Sequence, residues 1–222
     1  MLFLLAVLYP VFTMARTNAR AAYCHENLKQ LGTALSQYCA DNDEMMPDIS
    51  DKAGGHTWRE VIFRYVRDKE LYHCPERNDN VDANGFSQNY AANYSGNYGA
   101  TQPDKGKGAF AGPGSVPISP TEYSNPKKLI LLVEAENNRS EFNIDDPMNF
   151  RPQSHKLWAG HFSVHSSFLF ADGHVKSLRP SDTYLYDPKN KTLYNYWYRN
   201  TETRLSANGV AVLKDTQKRF HW

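Results

Sequence analysis

MLFLLAVLYPVFTMARTNARAAYCHENLKQLGTALSQYCADNDEMMP, residues 1–47, joins two hydrophobic patterns in one run. Residues 1–12 are unbroken apolar sequence, and no charge appears before Arg16. From Ala21 the apolar positions become periodic, falling at Ala21, Cys24, Leu28, Leu31, Leu35 and Tyr38. Steps of three and four put these on one stripe of a helix, with Arg20, Glu26, Lys29, Gln30 and Gln37 facing elsewhere. Pro10 removes one hydrogen bond and kinks the helix without ending it, since periodicity resumes beyond. Asp41, Asn42, Asp43 and Pro47 stop the pattern. The spacing thus predicts a helix of about forty residues, or ~60 Å. In a chain of 222 residues such a helix must protrude from whatever it packs on.

The apolar start is short for a membrane. Twelve helical residues span about 18 Å, against ~30 Å of bilayer hydrocarbon. No basic segment precedes it as in a signal peptide. The run fits a helix end buried in a larger assembly, or the second half of a membrane anchor that begins upstream. The anchor is the expectation adopted.

Beyond the helix the composition turns towards β-structure. Aromatic residues make up 13% of the chain, with 14 tyrosines, concentrated in the middle and the C-terminal third. Such rings favour half-exposed strands. A net charge of +1 gives no electrostatic case for nucleic acid as a partner. Residues 57–66, TWREVIFRYV, space Trp58, Ile62 and Tyr65 as a short helix leading to Cys74-Pro75. Residues 84–99, NGFSQNYAANYSGNYG, read as irregular loop and edge strand; a sugar-contacting aromatic surface is the sharper alternative. Residues 104–120 are rich in Gly and Pro and read as loop. Residues 129–136, LILLVEAE, read as a doubly buried central strand, with Glu134 and Glu136 at its solvated end.

Residues 166–178, SSFLFADGHVKSL, read as a hairpin turning at Asp172-Gly173, with type I′ geometry and positive φ at both. Phe168 and Phe170 share one strand face. His155, His161, His165 and His174 gather near Asp172, which invites a zinc or iron reading. The spacing gives it no support: His161 and His165 would converge on a metal only across a helical turn, where the hairpin calls for strands. The expectation is no metal site, no cofactor and no catalytic residue. Residues 184–198 alternate as strand faces, and Asn208-Gly209 reads as a further hairpin turn.

Two segments carry a family resemblance. Residues 9–48 resemble the N-terminal region of bacterial prepilin-type proteins at Pro10, Val11, Phe12, Arg16, Arg20, Cys24, Asn27, Leu28, Lys29, Gln30, Gly32, Gln37, Tyr38, Asp41 and Pro47. Phe168 to Val175 resemble the same group's C-terminal signature, a His, nine residues, then Asp-Gly. These are the pseudopilin-like proteins of the DUF1559 kind, related to type II secretion. Their basic leader and Gly-Phe-Thr-Leu-Ile-Glu site have no counterpart in the sequence. His161 also lies one residue too far upstream, with Phe162 in the expected place, so its equivalence needs one inserted residue.

The resemblance implies a pilin-like α+β fold: helix and anchor over residues 1–46, and a small antiparallel head over 47–222 with the hairpin near 161–178 and a C-terminal strand extension. The motif residues are His161, Asp172, Gly173 and His174. The implied role is non-enzymatic, a structural subunit or accessory of a pilus-like or secretion assembly. It would sit in the inner membrane with its head outside the cytoplasm, partnered by like helices and the membrane. A surface module binding carbohydrate or peptide is the alternative, and a metal-dependent hydrolase comes third. The three cysteines lack zinc-finger spacing. Cys24 and Cys39 lie fifteen residues apart on one helix, ~22 Å along its axis, and a disulfide needs Cα atoms within about 7 Å. Any bridge within the chain must therefore take Cys74 with one of them. The resemblance, in which Cys24 and Cys74 have equivalents, implies Cys24–Cys74.

Overall fold

A computed structural model describes residues 2–49, 56–77, 81–94, 108–112, 117–135, 141–142, 161, 165–187, 192–199, 205 and 207–219. The first helix, α1, runs Leu2–Asp41, 40 residues, and continues past Pro10. Its predicted stripe is its buried face: Ala21, Cys24, Leu28, Leu31 and Leu35 are in the core, and Tyr38 packs against it. The helix ends at a tight turn in which Asp43 and Glu44 both take positive φ. A second helix, α2 (Trp58–Val66), starts where the Thr57 N–H donates to Glu60 Oε2 (2.6 Å) and ends on Arg67 in the left-handed conformation. That contact satisfies one backbone N–H group at the start of the helix. Trp58 and Ile62 supply its buried face.

The head is a five-stranded sheet of β1 (Tyr90–Asn93), β2 (Ile130–Glu134), β3 (Glu141–Phe142), β4 (Ser166–Phe170) and β5 (Val175–Leu178). Their spatial order is β3-β1-β2-β4-β5. The pairs β1–β2, β2–β4 and β4–β5 are antiparallel, while the two residues of β3 lie parallel to β1. The apolar run thus forms the central strand. One sheet face, with Leu132 and Leu169, packs on α1 and α2. The other, with Ile130, Val133, Phe168 and Phe170, packs on Trp197, Val212 and Leu213. Gly32 lets α1 lie close: a Cβ there would stand 2.9 Å from Leu169 Cδ1. The result is α+β, a long helix with a small, chiefly antiparallel sheet.

Three local expectations need correction. Residues 90–93 form neither loop nor edge: β1 sits inside the sheet and is buried along its length. Asn93 accounts for part of this, since its Nδ2 donates to the carbonyls of Ile130 (2.8 Å) and Trp197 (2.9 Å) and fastens β1 to β2 and to the segment that packs on the sheet. Asn208-Gly209 is no turn. It lies in a helix, α3 (Ala207–Arg219), that buries Val212, Leu213 and Thr216. Packing against the sheet outweighs the local turn preference. Among its described residues the tail contributes a hairpin, β6 (Tyr184–Asp187) with β7 (Thr192–Asn195), and then this helix.

The third correction is the turn at the tip of the β4–β5 hairpin. Gly173 has φ +87°, but Asp172 is not among the positive-φ residues. Gly173 N–H donates to Phe170 O and Phe170 N–H to His174 O, both at 2.9 Å. This is a three-residue loop closed by a left-handed glycine rather than a two-residue type I′ turn. A Cβ on Gly173 would meet nothing within 4 Å, so backbone strain alone opposes substitution there. Gly173→Val should destabilise the head by about 1–2 kcal/mol in a denaturant titration. His174→Ala should cost clearly less, because that imidazole is exposed, paired with Asp172 and stacked on Phe170. Equal losses would show that the histidine contact, and not the glycine conformation, holds the turn.

Candidate functional site: a buried cluster of two cysteines, a histidine and a glutamate

Four residues from four distant parts of the chain meet behind α1. Cys24 comes from its buried stripe. Cys74 follows the 3-10 turn Lys69–Tyr72, where Asn27 Nδ2 donates to the carbonyl of His73 (2.9 Å) and Cys74 N–H donates to Asn89 Oδ1 (2.8 Å). Glu134 is the last residue of β2, opposite Tyr90. His161 exchanges backbone hydrogen bonds with His165, at 3.1 and 2.8 Å, just before β4 begins. All four side chains are fully buried.

Their polar atoms lie within 4.8 Å of one another. Cys24 Sγ and Cys74 Sγ are 2.7 Å apart. His161 Nε2 is 2.9 Å from Glu134 Oε1 and 3.7 Å from Cys74 Sγ, and Cys74 Sγ is 3.8 Å from the same carboxylate oxygen. The second oxygen, Oε2, accepts the backbone N–H of Ser167 (2.6 Å) and the hydroxyl of Ser166 (3.4 Å). Burial pulls the His161 pKa down, but hydrogen bonds to Cys74 and Glu134 and the carboxylate's charge outweigh it and lift it to about 10. His161 is therefore an imidazolium facing a carboxylate, the arrangement in which a buried charge is tolerated. The Cys74 thiol is pushed far above its ordinary range, first by its hydrogen bond with Cys24 and then by burial.

Of the residues singled out in the sequence, the cluster takes Cys24, Cys74 and His161. The expected solvated position of Glu134 is overturned: it is fully buried. Its partners give the reason, since His161, Ser166 and Ser167 replace water around the carboxylate. Glu136 and His155 lie outside the described residues. Asp172, Gly173 and His174 are exposed at the hairpin tip, away from the cluster. The His…Asp-Gly signature therefore has two separate jobs, a buried ion pair at one end of β4 and a turn at the other. Glu134 could have been found from the sequence, because a carboxylate abutting LILLV must be paired if the strand is central. Cys39 is apart from the cluster, 3.4 Å from Met46 Sδ, and burial raises its thiol to about 11.

The stretch 84–99 offers no aromatic platform among its described residues, since Phe86, Tyr90 and Tyr94 are all buried in the core. The cluster can act chemically in three ways: as a covalent link between the two sulfurs, as an ion pair, or as a set of metal donors. Full burial makes each of these internal to the fold.

Comparison with known proteins bears on the first half of this arrangement. Residues 13–93 match the family described as a protein of unknown function, DUF1559, so this stretch of the chain is DUF1559-like. It holds most of α1, all of α2 and β1, and both Cys24 and Cys74. No curated protein and no solved structure matches the chain.

Proposed function

We propose that this protein is a pilin-like structural subunit of an envelope assembly, inserting the apolar end of α1 among like helices at a membrane while its head lies outside the cytoplasm. One observation carries the reading. Leu8, Tyr9, Val11, Phe12 and Met14 are 53–73% exposed, on the part of α1 that precedes its contacts with the head. Side chains of this kind contribute about 1.5–3 kcal/mol each when taken out of water. Leaving a run of them solvated on a rigid helix marks a docking surface. None of the described helices is long and apolar enough to cross a membrane. In this proposal the exposed run packs against neighbouring helices within the apolar layer. The remainder of the helix serves as the stalk on which the head is built.

In this reading the cluster fastens stalk to head. Cys24 on α1 and Cys74 on the head would be joined by a disulfide, which an oxidising compartment allows to persist. The DUF1559-like segment is consistent with the pilin resemblance of residues 9–48. Native protein should sediment with membranes and resist carbonate extraction, whereas a chain beginning at Arg16 should be soluble. Freely soluble, monomeric full-length protein from the native cell would overturn the proposal.

A further inference from the structure

We propose that, with both thiols reduced, Cys24, Cys74, Glu134 and His161 bind one borderline-soft divalent ion of the Zn2+ type as a closed four-coordinate centre. The donor set is two sulfurs, one imidazole nitrogen and one carboxylate oxygen, the types zinc takes. These donor atoms already lie within 4.8 Å of one another, and all four residues are fully buried.

The geometry can be tested edge by edge. A tetrahedral zinc with bonds of about 2.3 Å to sulfur and 2.0–2.1 Å to nitrogen and oxygen sets donor–donor edges of roughly 3.3–3.8 Å. The 3.7 Å from Cys74 Sγ to His161 Nε2 and the 3.8 Å from Cys74 Sγ to Glu134 Oε1 fit as they stand. Two edges are short: 2.7 Å between the sulfurs and 2.9 Å between His161 and Glu134. An entering ion must part the sulfurs by about 1 Å and the imidazole from the carboxylate by about half as much.

The surroundings are those of a held site. Ser167 N–H and the Ser166 hydroxyl occupy Glu134 Oε2, which leaves Oε1 to the cluster. Asn89 holds the backbone of Cys74. Such outer contacts orient ligands before the ion arrives. Binding releases three protons to solvent, one from each thiol and one from the His161 imidazolium, and moves no electrons. Two thiolates and one carboxylate bring three negative charges, of which the ion offsets two. A Cys24–Cys74 disulfide uses up both sulfur donors, so the bond and the ion are alternative occupants of one place. The inference does not rest on membrane assembly, and the fractionation experiment neither helps nor harms it.

The test uses the full chain, reduced with a phosphine and freed of chelator, titrated with Co2+ as the spectroscopic probe. One equivalent should bind, with sulfur-to-cobalt charge-transfer absorption and the visible bands of a tetrahedral ion, and Zn2+ should displace it. The oxidised chain should show none of this. Cys24→Ser and His161→Gln should each weaken uptake at least about tenfold, and Cys39→Ser should leave it unchanged. A reduced chain that is folded by circular dichroism yet gives no charge-transfer band in excess Co2+ overturns the proposal. So does a band that survives Cys24→Ser but is lost in Cys39→Ser.

Discussion

Glu134→Ala should cost the head about 3–5 kcal/mol, the scale for removing one partner of a buried ion pair. The carboxylate holds three groups at once: the His161 imidazolium at 2.9 Å, the Ser167 N–H at 2.6 Å and the Ser166 hydroxyl at 3.4 Å. Alanine leaves the first as an uncompensated charge and the second as a buried donor without its acceptor, itself a loss of about 1–3 kcal/mol. Urea titration of the oxidised, chelator-treated protein reads the difference. A second variant guards against simple failure to fold. Glu134→Leu combined with His161→Leu removes both charges and should recover much of the loss, because apolar replacement of a whole buried pair is often near neutral. A cost below about 1 kcal/mol for Glu134→Ala would show that water reaches the site and that the pair does not bind the strand end to β4.

The other large effect expected is that of the Cys24–Cys74 bond. The two cysteines are separated by 50 positions, and closing a loop of that size stabilises by about 4 kcal/mol on the chain-entropy estimate, less any strain. With metal removed, reduction should therefore lower the melting temperature of a head this size by roughly 8–16 °C. Peptide mapping under non-reducing conditions should recover Cys24 joined to Cys74, with Cys39 as the free thiol. Cys24→Ser should abolish the response of the melting temperature to reductant, and Cys39→Ser should preserve it. A Cys39–Cys74 peptide, or three free thiols in protein taken from the envelope, would refute the pairing.

The elements legible in the sequence were those with strong local patterns. The period of α1 appears in Cys24, Leu28, Leu31 and Leu35, and every one of these is buried as that period requires. The central strand announced itself through LILLV between a proline and two asparagines. What the sequence hid was set by distant partners. Residues 90–93 look like loop because their neighbours are Asn, Gly and Ser. Their burial depends on β2 on one side and on the carbonyl contacts of Asn93, and neither is visible locally. Asn208-Gly209 carries a strong turn signal, yet it lies in a helix whose Val212 and Leu213 have the sheet to rest on. The cluster itself was half visible. Cys24 and Cys74 stood out by resemblance and His161 by its signature. Glu134 was misplaced because a carboxylate at a strand end is ordinarily solvated, and its burial is made tolerable by a histidine brought from 27 residues away together with Ser166 and Ser167.

The wiring of that cluster sets a schedule for the nascent chain. Its members leave the ribosome at positions 24, 74, 134 and 161, and the wall that receives Leu28 and Leu31 includes Leu169 of β4. Contacts of such long sequence separation form late, because each must first overcome the entropy of a long loop. For most of synthesis α1 therefore carries two uncovered apolar surfaces, the run before Arg16 and the stripe that follows it. Such a polypeptide is prone to aggregate until its last strands arrive, so a holdase or translocation machinery that occupies α1 early would govern yield more than the stability of the finished fold does.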